Sequence, residues 1–485
     1  MQESSENLSN EDYKKLKFKA GLEIHQQLDS EKKLFCNCPT LLRKDFPEFI
    51  VKRKLHAVAG ESGVIDVAAL YQKSLNKTFE YQGYDTTCLV ELDEEPPREI
   101  NKQALKIAVQ IALLLNMKII PITQIMRKTV IDGSNTSGFQ RTIMIARDGE
   151  IESSVGKIRI SALYLEEDAA RIISDENQKE IYRLDRLGIP LVEIVTAPDL
   201  KNPEHTKEVA LQIGEILRSC KVKRGIGTIR QDVNLSIRGQ NRIEIKGMQD
   251  MDIFLKAIEN EVIRQKNLSD SKNPVQMETR KVLPDATTKY MRPLPGSARM
   301  YPETDLPLLK ISRDFINDAK KDLPDLKKDI EKELRKKGLS QEMILQLFKQ
   351  NKLNLFEELS KIKNSPELVA KMILLWPKEI ATHKKIELQK VEEILEENYF
   401  EILQEKNLSD SEIKRIMNEI TDGKTLKESL SFEKIENNDV EEFIVKLIKE
   451  KPGLNPNAYM GLAMKNFSGK VSGKIVMEII NKVMR

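Results

Sequence analysis

Apolar and polar residues alternate along much of the first 311 positions, whereas the remaining chain repeats its apolar residues at helical spacing. In Phe18–Gln27 one face reads Phe18, Ala20, Leu22, Ile24 and the other Lys19, Gly21, Glu23, His25, Gln27. This is the period-2 pattern of a strand. Thr228–Ile237 repeats it, with Ile229, Val233, Leu235 and Ile237 opposite Arg230, Asp232, Asn234 and Ser236, and Gln231 interrupts the apolar side. Arg242–Lys246 alternates in the same way. Helical patterns are expected over Gln103–Leu115, after Asn101, and over Glu204–Ser219, after the Asn202-Pro203 start signal. Beyond residue 311, Lys, Glu, Leu and Ile recur every three to four positions, as in Asp325–Leu334, Glu342–Phe348 and Lys390–Leu403. The predicted fold class is α+β. An amino-terminal cradle domain built around an antiparallel sheet covers 18–311, a helical domain 312–385 and a helical tail domain 386–485. Residues 1–17 are expected to be a disordered lead-in.

Composition narrows the picture. At ~150 residues per domain, 485 residues suit about three domains. Four cysteines cannot form a disulfide framework in so long a chain, which points to a reducing cytoplasm. The best apolar run, Ile107–Leu115, falls short of the ~20 residues that span a bilayer and is broken by Gln110. A cytoplasmic protein with no membrane partner is expected. Lys+Arg total 79 and Asp+Glu 76, a net charge of only +3, but the balance is uneven. From Gly453 to Arg485 there are five basic residues and one acid, Glu478. Within that segment Lys465, Lys470 and Lys474 are candidates for nucleic-acid phosphates.

The candidate chemistry lies in carboxylates set among apolar neighbours. Leu191-Val192-Glu193-Ile194-Val195 places one acid in a β-branched run, and Tyr164-Leu165-Glu166-Glu167-Asp168 ends another strand-like stretch. A buried carboxylate is costly unless it is paired, hydrogen-bonded or bound to a cation. Acids gathered with one imidazole, as Glu23 and His25 suggest, suit Mg²⁺. Familiar nucleotide signatures fail. Gly423-Lys424-Thr425 has Asn418 where a P-loop needs glycine, and Gly225-Ile226-Gly227 is followed by Arg230 and not by the third glycine of a dinucleotide fingerprint. Cys36-Asn37-Cys38 is an isolated pair, with Cys88 and Cys220 far off in sequence, so a zinc ribbon is not expected.

Several segments, in order, resemble the B/E family of glutamyl-tRNA amidotransferase subunits. They are Gly21-Leu22-Glu23-Ile24-His25-Gln26-Gln27-Leu28, Leu34–Pro39, Arg127-Lys128, Leu165–Ala169, Leu184–Val195, Arg230–Asn234 and Arg299–Asp305. The similarity runs from Phe18 to the tail, and Asp132–Arg141 is similar to the archaeal E type. The resemblance implies a carbon–nitrogen ligase, of the class that takes glutamine as amido donor, converting Glu-tRNA(Gln) to Gln-tRNA(Gln). It implies phosphorylation of the glutamyl carboxylate by ATP, then amidation by ammonia from an asparaginase-like D-type partner in a heterodimer or a dimer of heterodimers.

By the same resemblance His25, Glu167 and Glu193 form one Mg²⁺ site, and Glu23, Glu166 and Asp232 a second set of cation ligands. Lys128 resembles the residue that stands near the mouth of the ammonia path. A regular strand would turn Glu166 and Glu167 to opposite faces, so sharing one metal region requires a bulge or a strand end. Arg230, Arg280, Arg292 and Arg299 are candidate phosphate or ATP clamps. Archaeal members carry an aspartyl-tRNA-synthetase-like insertion, whereas 265–292 here reads as a short polar connection. Two alternatives stay open. One is a B-type subunit with an amidase partner that also serves Asp-tRNA; the other is a non-catalytic tRNA-binding scaffold.

Overall fold

The computed structural model describes residues 8–484 except 60–62, 177, 272–273, 351, 406–407, 431–436 and 468–472. The chain divides into two compact units, Met1–Leu326 and Lys327–Arg485. The first is rich in strands and the second, among the described residues, is helical.

The strands of the first unit used below are β1 (Lys19–Gln27), β2 (Ile125–Thr129), β3 (Phe139–Ser153), β4 (Gly156–Glu167), β5 (Pro190–Thr196), β6 (Ile229–Ser236), β7 (Ile243–Lys246), β8 (Glu278–Val282), β9 (Thr288–Pro293) and β10 (Met300–Pro302). They lie in one sheet in the order β9-β8-β7-β6-β1-β5-β4-β3-β2-β10, with Lys118–Ile119 pairing against β3. Neighbours run antiparallel except β7 and β8, which are parallel. The central register sets Glu23 opposite both Asp232 and Val195, and His25 opposite both Arg230 and Glu193. Alternation then buries Ala20, Leu22 and Ile24 on one side and leaves the polar set on the other. At Gly21 an added Cβ would lie 3.2 Å from the Thr196 carbonyl oxygen, so a larger residue would press β1 away from β5 by a few tenths of an ångström.

Three helices cover the apolar face: α1 (Lys102–Leu114), α2 (Pro203–Ser219) and α3 (Phe254–Asp270). The side chains of Asn101 and Asn202 cap the first two, as the sequence signals require. Leu105, Ile107, Val109 and Ile111 of α1 are buried; each such side chain contributes about 1.5–3 kcal/mol when removed from water. A four-stranded sheet made by Phe49–Arg53, Thr78–Gly83, Lys179–Arg183 and Arg171–Glu176 packs its own small core around Tyr81 and Tyr182.

Four boundaries differ from the expectations. Residues Asn10–Lys15 are not a disordered lead-in but a helix, held by a Ser9/Asp12 capping box and by Tyr13 buried against Phe18. The stretch 265–292 is not a connection: it holds the end of α3, β8 and nearly all of β9. Its polar residues misled because a helix end and an edge hairpin both expose polar faces. The helix Arg313–Lys321 belongs to the first unit, where Ala319 is buried and Lys106 pairs with Asp318 and Asp322 at 2.7 Å. In the second unit, Leu388–Glu396, Tyr399–Gln404 and Asp410–Ile420 share one core with the helices before residue 385. The break between cores falls after Leu430, where Val440–Val483 gather separately. No helix among the described residues is long and apolar enough to cross a membrane.

Candidate active site

The polar faces of β1, β4, β5, β6 and β7 line a cavity of about 710 Å³, which Arg292, Leu294–Gly296, Arg299 and Met300 also line. Two clusters of potential cation ligands face it.

In the first, one nitrogen of His25 and one oxygen each of Glu166 and Glu193 lie within 4.8 Å of one another. His25 Nε2 is 3.3 Å from Glu193 Oε2. Lys128 Nζ reaches Glu166 at 2.6 Å and Glu193 at 3.2 Å, while Thr142 Oγ1 donates to Glu166 at 2.6 Å. Burial opposes charge on all these groups. The Lys128 ammonium and the His25 ring outweigh it at Glu193, whose carboxyl is held well below the usual range. Glu166 is raised, by burial and then by the Glu193 charge. Burial pulls His25 down, but its hydrogen bond to Glu193 and the surrounding acids leave it raised overall.

In the second cluster, Glu23, Asp232 and Glu244 bring oxygens within the same 4.8 Å range. Asn234 donates to Glu23 at 2.8 Å and Thr279 to Glu244 at 2.8 Å. Lys246 Nζ lies 2.7 Å from Asp232 and 2.9 Å from Glu244. Burial, then the charges of Glu193 and Glu244, push Glu23 up to about 7. Both donor sets, one imidazole with two carboxylates and three carboxylates, fit a hard divalent cation that keeps water or phosphate in its remaining positions.

Glu167 joins neither cluster. It points the other way and accepts from the Arg141 backbone N–H at 3.2 Å and from the Arg141 guanidinium at 3.4 Å. The reason is local: β4 keeps regular alternation against β5 at Leu191 and Pro190, so Glu166 takes the cavity side. The structure therefore brings Glu166, expected in the second set, into the first, and leaves Glu167, expected in the first, out of both. Glu244, absent from the expected ligands, takes the vacated place in the second. Its signal was present in the alternation of Arg242–Lys246, which puts Glu244 on the polar face.

The four expected arginines separate. Arg292 and Arg299 face the cavity. Burial and then the proximity of Arg292 lower Arg299, whose Nε donates to the Thr129 carbonyl at 3.1 Å. Arg230 also lines the cavity, with its guanidinium 2.7 Å from the buried Asp168. Arg280 is absent from the lining: it is paired with Glu278 at 2.8 Å and Glu261 at 3.6 Å. Of the tail lysines, Lys465 is exposed near the end of the helix Pro456–Phe467, while Lys470 and the side chain of Lys474 lie outside the described residues.

A third cluster was missed. The fold brings Cys36, Cys38, Cys88 and Glu91 within 4.8 Å of one another, closing the sequence gap that argued against a metal. Three sulfurs and one carboxylate are a four-ligand set suited to a softer cation such as zinc. Hydrogen bonds from Cys36 and Cys38 lower the Cys88 thiol, whereas bonds to Cys38 and Cys88, with burial, raise Cys36. Lys33, fully buried, pairs with Glu91 from outside the ring and donates to the Thr86 carbonyl at 2.8 Å. The cue was Cys88-Leu89-Val90-Glu91, a CxxC spacing with glutamate in the last place.

Residues 18–317 match the model of the GatB/GatE catalytic domain. The chain is 37% identical to the E-type subunit of glutamyl-tRNA(Gln) amidotransferase from Methanocaldococcus jannaschii, covering 98% of this chain and 99% of the relative. Identity is 44% to the protein of the same name from Methanococcus maripaludis strain C7, with 98% and 99% covered, and 35% to that of Methanosarcina barkeri, with 97% and 98% covered. These alignments, of 626 to 632 residues, run longer than the chain itself, so the relatives carry stretches with no counterpart here. With its signature strands forming the cavity and its relatives matched over nearly their full length, the chain belongs to the GatB/GatE family of amidotransferase subunits.

Proposed function

We propose that this protein activates and amidates glutamate esterified to tRNA(Gln). A glutamyl carboxylate oxygen attacks the γ-phosphorus of ATP and ADP leaves. Ammonia then attacks the acyl carbon, phosphate departs, and the nitrogen loses a proton to give Gln-tRNA(Gln). The supporting observation is the meeting, in one 710 Å³ cavity, of two carboxylate clusters with the guanidiniums of Arg292 and Arg299. Two cations that repel each other are set to receive a polyanion, and phosphoryl transfer depends chiefly on such positioning and charge stabilisation. Mg²⁺, when bound by His25, Glu166 and Glu193 and by Glu23, Asp232 and Glu244, supplies charge neutralisation at the transferring phosphoryl group. The chain's own residues hold the acids apart and in place: Lys128 bridges Glu166 and Glu193, and Thr142 and Thr279 orient single oxygens. Lys128 is raised despite its burial, because Glu166 and Glu193 surround it.

Ammonia comes from an asparaginase-like partner in the same reading, and the missing insertion near 265–292 leaves tRNA binding to the remaining surface, including Lys465 and the tail. The test is Glu193→Gln or Glu166→Gln in the reconstituted complex, measuring γ-glutamyl phosphate from ATP and Glu-tRNA(Gln). Loss of phosphorylation is expected, and undiminished phosphorylation would overturn the assignment.

A further inference from the structure

Lys246 is given no part in the two steps above, yet its ammonium sits between two acids of the second cluster. It ends β7 on the same face as Glu244, two residues away. Its Nζ takes Asp232 Oδ2 at 2.7 Å and Glu244 Oε1 at 2.9 Å. Each acid of the cluster also has one fixed donor from elsewhere. Asn234 serves Glu23 at 2.8 Å, Thr279 serves Glu244 Oε2 at 2.8 Å, and the Gly247 N–H reaches Asp232 Oδ1 at 3.3 Å. The oxygens that Lys246 engages are thus the ones the rest of the protein leaves for a cation. The side chains of Asp232 and Glu244 are 9% and 8% exposed, and that of Lys246 is 31% exposed. The acids are held, whereas the lysine has an open side along which its four-carbon stem can swing.

We propose that Lys246 is a built-in competitor for the divalent cation at Glu23, Asp232 and Glu244. The ammonium and the metal use the same two oxygens, so metal entry and displacement of the ammonium are one event. The lysine thereby sets the affinity of this cluster below what its three carboxylates alone would give. In its absence the acids would repel one another, and the pair of contacts to Lys246 relieves that repulsion. Once displaced, the ammonium remains in the cavity that Arg230, Arg292 and Arg299 also line, where it adds one more cation facing a phosphate. The first cluster differs. Lys128 lies against Glu166 and Glu193 there, but a His25 nitrogen replaces the third carboxylate, so less negative charge needs balancing. This inference rests on the reading of the second cluster as a divalent-cation site.

The experiment titrates Mn²⁺ into the full-length protein and into Lys246→Met, Lys246→Arg and Lys246→Gln, counting bound ions by electron paramagnetic resonance and affinity by calorimetry. Lys246→Met is expected to tighten one Mn²⁺ site about tenfold or more, because a unit charge a few ångströms from the ion is removed. Lys246→Arg, which keeps the charge, is expected to leave that site weak. Should the methionine variant fail to fold, Lys246→Gln reports the same loss of charge while keeping a hydrogen-bond donor. Wild-type protein that binds two Mn²⁺ ions, with charge-removing variants of unchanged or weaker affinity, overturns the role of Lys246 and leaves the functional reading standing. Wild-type protein that binds no Mn²⁺ at either cluster overturns the functional reading itself.

Discussion

The two units of this chain solve the problem of buried polarity in opposite ways. Among the described residues, every buried polar or charged side chain lies in the first unit except Lys352 and Ser429. The helical unit is built of amphipathic helices whose charged residues face water. Lys352 is the one buried charge among its described residues, paired with Glu392 at 2.8 Å. The sheet-rich unit instead turns one whole face of its central strands into a floor of acids, matched by lysine and arginine cations. A protein places carboxylates inside at considerable cost unless they are paired, hydrogen-bonded or set to hold a cation. On the function proposed above, the sheet face is the working surface.

Substitutions in each unit can test that contrast. The largest effect is expected at Glu193, whose carboxylate is held ionised by Lys128 and His25: Glu193→Gln should lower the rate of phosphoryl transfer about 100-fold or more, measured in single-turnover assays, with melting temperature little changed. An equal loss from a surface charge of the helical unit would erase the distinction between the units. Next, the purified protein is expected to carry close to one zinc ion per chain by elemental analysis. Cys88→Ser should release it and lower the melting temperature by about 5 °C, without abolishing the chemistry of the acid-lined cavity per folded molecule.

A smaller effect concerns Glu303, buried beside Arg127 and Arg141, the latter at 2.8 Å. Burial opposes its charge, but these partners lower it to about 2 from 4.5. A depressed carboxyl contributes stability above its unfolded value and loses it as pH falls toward the folded one. Glu303→Gln should therefore cost about 2 kcal/mol in denaturant unfolding at pH 7, and the gap should close between pH 4.5 and about 2. The smallest change is expected in the helical unit. Lys465→Glu should raise the KM for Glu-tRNA(Gln) a few-fold, flatten its salt dependence, and leave ATP use in the cavity unaltered.

Much of the cavity was legible one strand at a time. The alternation of Phe18–Gln27 put Glu23 and His25 on a common face, and the lone acid in Leu191–Val195 marked Glu193. What single strands do not carry is which acids from different strands converge. Glu166 and Glu167 are adjacent in sequence, and only the register of β4 against β5 chose Glu166 for the cavity. Glu244 looked like one more polar residue of an alternating strand until the order β1-β6-β7 set it near Glu23 and Asp232. Arg280 and Arg292 lie in the same hairpin, yet one turns to Glu261 and Glu278 and the other to the cavity.

Local sequence is enough to specify the class of elements, the capped starts of α1 and α2, the polar face of the sheet and, through the signature segments, the family. These properties are written in periodicities of two and 3.6 residues and in short motifs. The ligand sets, the pairing of each cluster with its own lysine, and the ring of Cys36, Cys38, Cys88 and Glu91 exist only once the chain has folded. A cation site is made by side chains within a few ångströms in space, and strand register and loop closure, not sequence spacing, bring those atoms together.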